Sequence, residues 1–342
     1  MGKNYREIIS HSQYNLLEQM LKDKKPPQEI LTALKKKERL SASSILGIDY
    51  LTRQDIRLIY RLAFVFSKLY KKHDLRLFLG KTIVNVFLEN STRTRVSFEI
   101  AGKTLGANVI NISQSGSSME KKGETTLDTF LNLEQLQPDL FILRTGEEGL
   151  PLLINKLVSQ PLINAGDGRH EHPSQALLDG YTIMEEFGSI KNKKVLFVGD
   201  LLHSRCFGSL ARLVNLLGGK VLAVGPSALL PQGITKAFKA KVFKDLSQAL
   251  AQADVIYIIR LQLERETEKY FSSLEDYAKN YMINSARLSL APARAIVMSP
   301  GPNNRDLDIA SAVLTGRQSR IFKQVENGIY IRLALIYLLL NR

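Results

Sequence analysis

Ser91-Thr92-Arg93-Thr94-Arg95 packs hydroxyls and guanidinium groups into one short stretch. It follows the apolar run 82–88 and opens a segment whose apolar residues, Val96, Ile100 and Leu105, recur at helical spacing. The order predicts a strand feeding a helix, with the polar stretch at the turn. Helix N-termini carry unpaired N–H groups and a partial positive charge, and so they attract phosphate. Arginine adds a planar fork of donors that fits a phosphate face. Taken alone, the same residues also fit an ordinary Ser/Thr helix cap beside solvated arginines.

Further polar groups stand at the ends of apolar runs. Arg144 directly follows Phe141-Ile142-Leu143. The stretch Asn164-Ala165-Gly166-Asp167-Gly168-Arg169-His170-Glu171-His172-Pro173-Ser174-Gln175 follows another such run, its glycines allowing close backbone approach and His172-Pro173 leading into a helix. A neutral His172 there can donate to a polarised carbonyl. His170 and His172 lack the cysteine or third histidine that would make a metal site, so no metal is expected. Arg205, Arg260 and the Ser299-Pro300-Gly301-Pro302 element end three more apolar runs, and the prolines leave carbonyls free to accept. Lys122, in Lys121-Lys122-Gly123-Glu124-Thr125, follows the loop Ser115-Gly116-Ser117-Ser118 and can reach an anion as a point charge. No acidic pair, nucleophilic cysteine or Ser–His–Asp set accompanies these cations. Such a set of residues suits binding several negative charges and transferring a group from an acyl phosphate, with no cofactor.

The elements that must position these residues alternate. After a helix over about 52–71, β-rich runs at 82–88, 107–112, 139–143 and 161–164 are separated by helical segments near 92–105, 123–136, 147–158 and 173–187. The pattern restarts with strands at 194–199, 220–224, 240–243, 254–259 and 295–298, and a helix over 205–217 stopped by Gly218-Gly219. The fold class is therefore α/β: two tandem domains, each a parallel sheet flanked by helices. The final segment, 327–342, is helical and so apolar that it must pack back on the first domain. In open α/β sheets, sites lie beyond the carboxyl ends of strands, where the cations above fall. Residues 1–44 read as a basic N-terminal extension of two helices parted by Pro26-Pro27, with no function assigned.

The 342 residues are 44% hydrophobic, which suits two globular domains, and they contain no run long enough to span a membrane. The single cysteine, Cys206, allows no internal disulfide; with no signal-peptide pattern at the start, a cytoplasmic location is the simplest expectation. A net charge of +14 invites a nucleic-acid reading, but the positive residues are dispersed and tryptophan is absent, so small anionic substrates are the better reading, with neither nucleic acid nor membrane as partner. Gly80-Lys81-Thr82 is not a P-loop, because Leu75 stands where its first glycine should be and a strand follows rather than precedes it. Val198-Gly199-Asp200 is not a dinucleotide fingerprint, because Leu201 and Ser204 occupy glycine positions.

The combination resembles the catalytic chains of the aspartate branch of the aspartate/ornithine carbamoyltransferase superfamily. The similarity runs from about Ile48 to Arg342. It includes Phe87-Leu88-Glu89-Asn90-Ser91-Thr92-Arg93-Thr94-Arg95, Lys122-Gly123-Glu124-Thr125, Asn164 to Gly168 with His172-Pro173 and Gln175, Val198 to Leu201, Arg260-Leu261-Gln262 and Pro300-Gly301-Pro302. The resemblance implies transfer of the carbamoyl group of carbamoyl phosphate to the amine of L-aspartate, in de novo pyrimidine synthesis. It implies that Ser91, Thr92, Arg93, Thr94 and Arg144 hold the phosphate, and that Thr94, Arg144 and His172 contact the carbamoyl oxygen. Gln175 and the Pro300 carbonyl, beside Gly301, would receive the carbamoyl amine, and Arg205, Arg260 and Gln262 the aspartate carboxylates. Ser118 and Lys122 would come from a neighbouring subunit of a homotrimer, and a regulatory chain or a dihydroorotase is a conceivable partner. The implied division is a carbamoyl-phosphate-binding domain over 45–173 plus 325–342 and an aspartate-binding domain over 174–324.

The chain departs from the family pattern at Ser299 and Thr145, where histidine is common, and at Ser204, where glycine is common. The extension before Ser41 is longer than usual. The alternative acceptor is ornithine. Against it, Met298-Ser299-Pro300-Gly301-Pro302 lacks the His-Cys-Leu-Pro element of that branch, and Arg260 suits a carboxylate.

Overall fold

The computed structural model describes residues 7–113, 123–262 and 273–342. They divide into two compact units, one of residues up to Tyr181 together with Glu326–Arg342, the other Thr182–Val325. Each is built on one all-parallel sheet, ordered β2-β1-β3-β4 in the first and β7-β6-β5-β8-β9 in the second. Both unit boundaries fall inside helices, α7 (Pro173–Phe187) and the C-terminal α14 (Ile321–Leu340).

In the first unit the strands are β1 (Thr82–Phe87), β2 (Asn108–Ser113), β3 (Leu140–Thr145) and β4 (Leu162–Asp167). Residues alternate across the sheet. One face gives Val84, Val86, Phe141 and Leu143 to a core with Phe130 of α5 (Thr126–Gln135) and Ile154 of α6 (Leu150–Leu157). β4 extends through Asp167, beyond the expected end at residue 164, because Asp167 pairs with Thr145 past a register shift that places one extra residue on β4. Arg144 accordingly lies within a strand rather than after one. A side-chain ladder ties α4 (Thr92–Thr104) to the sheet: the buried Asn85 amide donates to Asn111 across β1 and β2 at 2.9 Å, and Asn111 donates to Glu99 of α4 at 3.0 Å.

The C-terminal helix begins at Ile321, earlier than the apolar run suggested, and its last turns pack in the first unit. Tyr337 meets Phe66 of α3 (Arg53–Leu69) edge-on, with ring centroids 5.8 Å apart. The N-terminal extension is integral to this packing. Its helices α1 (His11–Lys22) and α2 (Pro27–Lys35) bury Leu17, Ile30, Leu31 and Leu34. The Lys35 ammonium donates to the Asn341 carbonyl at 2.7 Å, just past the end of α14, where a cation suits the helix dipole. Arg61 of α3 donates to both carboxylate oxygens of Glu38, at 2.8 and 2.6 Å.

In the second unit the strands are β5 (Lys194–Gly199), β6 (Lys220–Val224), β7 (Lys241–Val242), β8 (Val255–Ile259) and β9 (Ile296–Met298). The helices are α8 (Arg205–Leu216), α9 (Ile234–Phe238), α10 (Leu246–Leu250), α11 (Leu274–Tyr281), α12 (Ser285–Leu288) and α13 (Ser311–Leu314). One face buries Leu196, Val198, Ile256 and Ile258 against Leu250 and Val313. On the other, Phe197 packs edge-on against Phe207 at 5.0 Å. Arg320 clamps Glu186 through two bonds of 2.7 and 2.8 Å.

The extension can be tested as part of the core. Leu34 is fully buried, so Leu34→Ala should lower the unfolding free energy by about 2–5 kcal/mol. Urea titration of the full chain measures this; a loss well under about 1 kcal/mol would make the extension a loosely attached arm.

Candidate functional site

The first unit's polar residues gather at the carboxyl ends of β1, β3 and β4. Ser91 precedes α4 in an extended conformation, but its hydroxyl makes no capping bond. The simple cap reading therefore fails, and the first-turn amides of α4 keep the anion-binding character of a helix N-terminus. Thr92 and Arg93 are exposed and Thr94 is buried. Arg144 is largely buried, with Glu89 3.1 Å from its Nε edge and the Ala165 carbonyl oxygen 3.5 Å from Nη1. Glu89, quoted in the motif without a role, thus fixes how Arg144 presents its fork.

Asp167 organises the β4 turn, a role the sequence reading missed. One carboxylate oxygen accepts from the Asn164 amide at 2.8 Å and the Glu171 backbone N–H at 3.0 Å. The other accepts from the Gly149 N–H at 2.8 Å and contacts the His170 ring nitrogen at 2.9 Å. His170 is thereby held in the turn, and among the described residues no group of three or more His, Cys, Asp or Glu is placed to hold a metal. Gly168 is required here: its φ is +46°, and a Cβ would lie 2.3 Å from Glu148 Cγ. His172, buried at the start of α7, accepts the Gln175 and Ala176 N–H groups on its carbonyl at 3.0 and 3.1 Å. The Gln175 amide nitrogen donates to the buried Asp179 at 3.0 Å.

The second unit repeats this plan. Gly199, at φ +115°, closes β5 where a Cβ would meet the Ile259 carbonyl oxygen at 2.1 Å. The fully buried Asp200 follows. It accepts from the His203 backbone N–H at 3.2 Å and the Gln262 N–H at 3.4 Å, and it contacts the His203 ring nitrogen at 2.9 Å. The Gln262 amide donates to the His203 carbonyl at 2.9 Å. Ser204 caps α8 by accepting from Phe207, so the serine at this departure is used locally and leaves Arg205 as the first helical residue. Arg260 and Gln262 flank Leu261, whose N–H goes to Asp308 and whose carbonyl accepts from Asn304, both at 3.0 Å. The Ser299 backbone N–H donates to the Gln324 side-chain oxygen at 2.9 Å, holding the segment before Pro300 and Gly301. Ser118 and Lys122 lie outside the described residues.

Fold and site together define a two-unit parallel α/β protein whose strand ends are furnished for anions. The model of the carbamoyl-phosphate-binding domain of aspartate/ornithine carbamoyltransferases matches residues 43–185, and that of their Asp/Orn-binding domain matches residues 191–339. The chain belongs to this family. It is 43% identical to the aspartate carbamoyltransferase catalytic subunit of Cytophaga hutchinsonii over 88% of its own length and 98% of that protein. It is 45% identical to that of Syntrophotalea carbinolica over 86% of its length and 94% of that protein. Among solved structures, Trypanosoma cruzi aspartate transcarbamoylase in complex with N-(phosphonacetyl)-L-aspartic acid superposes with a TM-score of 0.80 at 31% identity, covering 86% of this chain and 94% of that one.

Burial pushes the Asp308 carboxyl up to about 6, only partly offset by the Leu261 N–H, the Tyr277 hydroxyl and the Arg260 charge. A carboxyl raised in the folded state contributes stability fully present below its unfolded value near 4, and that contribution is lost as pH rises through about 6. Asp308→Asn keeps an acceptor for Leu261 and cannot ionise. Its stability relative to the unchanged protein should therefore rise by on the order of 1–3 kcal/mol between pH 4 and 7. Urea unfolding across that range checks this; a difference independent of pH would contradict it.

Proposed function

We propose that this chain transfers the carbamoyl group of carbamoyl phosphate to the α-amine of L-aspartate, giving N-carbamoyl-L-aspartate and phosphate. The observation that carries the reading is the 43–45% identity to aspartate carbamoyltransferase catalytic subunits over nearly their whole length. The ornithine alternative lacks such support, and Arg260 and Arg205 give the second unit cations suited to a dicarboxylate.

The first unit takes carbamoyl phosphate. Its phosphate is received by the α4 N-terminus with Ser91, Thr92, Arg93, Thr94 and Arg144. As the aspartate amine attacks the carbamoyl carbon, negative charge grows on the carbonyl oxygen, where Thr94, Arg144 and His172 donate; one such donor is worth roughly 3–4 kcal/mol. The new C–N bond forms, the C–O bond to phosphate breaks, and the departing phosphate takes the proton from the amine. In the second unit Arg205, Arg260 and Gln262 hold the aspartate carboxylates, and Pro300, beside Gly301, offers a carbonyl to the carbamoyl amine. Holding both reactants removes on the order of 7 kcal/mol or more of bimolecular cost.

The active assembly in this reading is a homotrimer in the cytoplasm, with Ser118 and Lys122 supplied to a neighbour. The exposed Ile110 on the edge strand β2 and the exposed Val96 and Ile100 on α4 support a self-association surface on the first unit. No described helix is long and apolar enough to cross a membrane.

Steady-state assays with both acceptors test the reading. Carbamoyl-aspartate should form and citrulline should not. Arg144→Ala should lower kcat by about 100-fold or more, while Arg260→Ala should chiefly raise the KM for aspartate. Unchanged turnover in Arg144→Ala, or preferred use of ornithine, would defeat it. Native mass measurement should find three chains; a monomer that retains full activity would remove the shared-site proposal.

A further inference from the structure

A buried polar chain lies behind the first unit's site. Gln175 and Asp179 are one helical turn apart on α7 and face the same side. Asp179 is completely buried, and its Oδ1 lies 3.0 Å from the Gln175 amide nitrogen. A carboxylate can only accept, so this bond settles which way round the Gln175 amide sits: nitrogen toward Asp179, oxygen on the opposite side. Without such an anchor a glutamine amide can flip and offer a donor where an acceptor is needed.

The countercharge comes from another helix. Arg332 of α14 is buried, and its guanidinium stacks 5.0 Å from the Phe98 ring on α4. Burial brings Arg332 down to about 10, the Asp179 charge opposes that fall, and Arg144 adds to it. The Asp179 charge also helps to raise the buried Tyr60 hydroxyl of α3 well above its usual range. The Asp179 charge thus acts on groups of both α3 and α14. A buried charge is a poor source of stability, because desolvation cancels most of its attractions. A buried carboxylate bonded to the Gln175 amide has a better explanation in positioning.

We propose that Asp179, with Arg332 as its countercharge, is a positioning residue that orients the Gln175 amide so that its oxygen, rather than its nitrogen, is offered to the NH2 group of carbamoyl phosphate. The inference rests on the assignment of Gln175 to the carbamoyl amine. Its consequence is selectivity: acetyl phosphate, with a methyl group in place of that amine, gains nothing from the oriented oxygen.

The test compares turnover of carbamoyl phosphate and acetyl phosphate, with aspartate as acceptor, in four variants of the full chain. Gln175→Ala should lower the carbamoyl-to-acetyl ratio of kcat/KM by about tenfold, the size of one neutral hydrogen bond. Asp179→Leu, which has no acceptor, should lower the same ratio by a similar factor, and Gln175→Ala combined with Asp179→Leu should lower it no further. Asp179→Leu with Arg332→Met removes both charges, leaves no unpaired ion and gives the same readout should the single variant fail to fold. A ratio that falls in Gln175→Ala but is unchanged in the Asp179 variants overturns the proposal. A ratio unchanged in Gln175→Ala overturns the placement of Gln175 itself. Equal losses with both phosphates in the Asp179 variants reduce Asp179 to a structural residue and also overturn the proposal.

Discussion

A site for anions must keep its cations from being neutralised by the acids that build its loops. Parallel strands buried on both faces can present polar chemistry only where they end. The turns there need buried acceptors to hold them. The carboxylates of Asp167, Asp200 and Asp308 meet that need by accepting backbone N–H groups, from Gly149 and Glu171, from His203 and Gln262, and from Leu261. These carboxylates are engaged by backbone amides, which fixes the turns that carry the neighbouring arginines. Glu89 meets Arg144 directly, at its Nε edge.

Much of this was legible in the sequence because its signals are local. Apolar β-branched runs ended by glycine or polar clusters marked the strands, and Pro173 marked the first residue of α7. The sheet orders could not be read, since strand neighbours are set by crossovers. Nor was the reach of β4: Gly166 and Asp167 look like loop residues by propensity, and only the pairing of Asp167 with Thr145 makes them strand. The cations of the site stood out because charge at the end of an apolar run is conspicuous. Asp179 and Arg332 did not, because a single charge within a helix reads as a solvated face until tertiary packing buries it.

The N-terminal extension shows the same limit. Its polar composition and proline break describe two helices correctly, yet its role rests on contacts between distant residues, Lys35 with Asn341 and Arg342 with the Ala42 carbonyl. Those contacts join the first helices to the last one. The result links the sequence feature that looked most dispensable to the helix carrying Arg332.

The central claim is that cations from both units serve one bisubstrate chemistry, the phosphate in the first and the dicarboxylate in the second. Calorimetric titration with N-(phosphonacetyl)-L-aspartate, which carries both anionic groups, tests it most directly. The account predicts saturable binding of one molecule per chain, weakened severely both by Arg144→Ala and by Arg260→Ala. Binding that survives either substitution undiminished, or no binding by the unmodified chain, would contradict it.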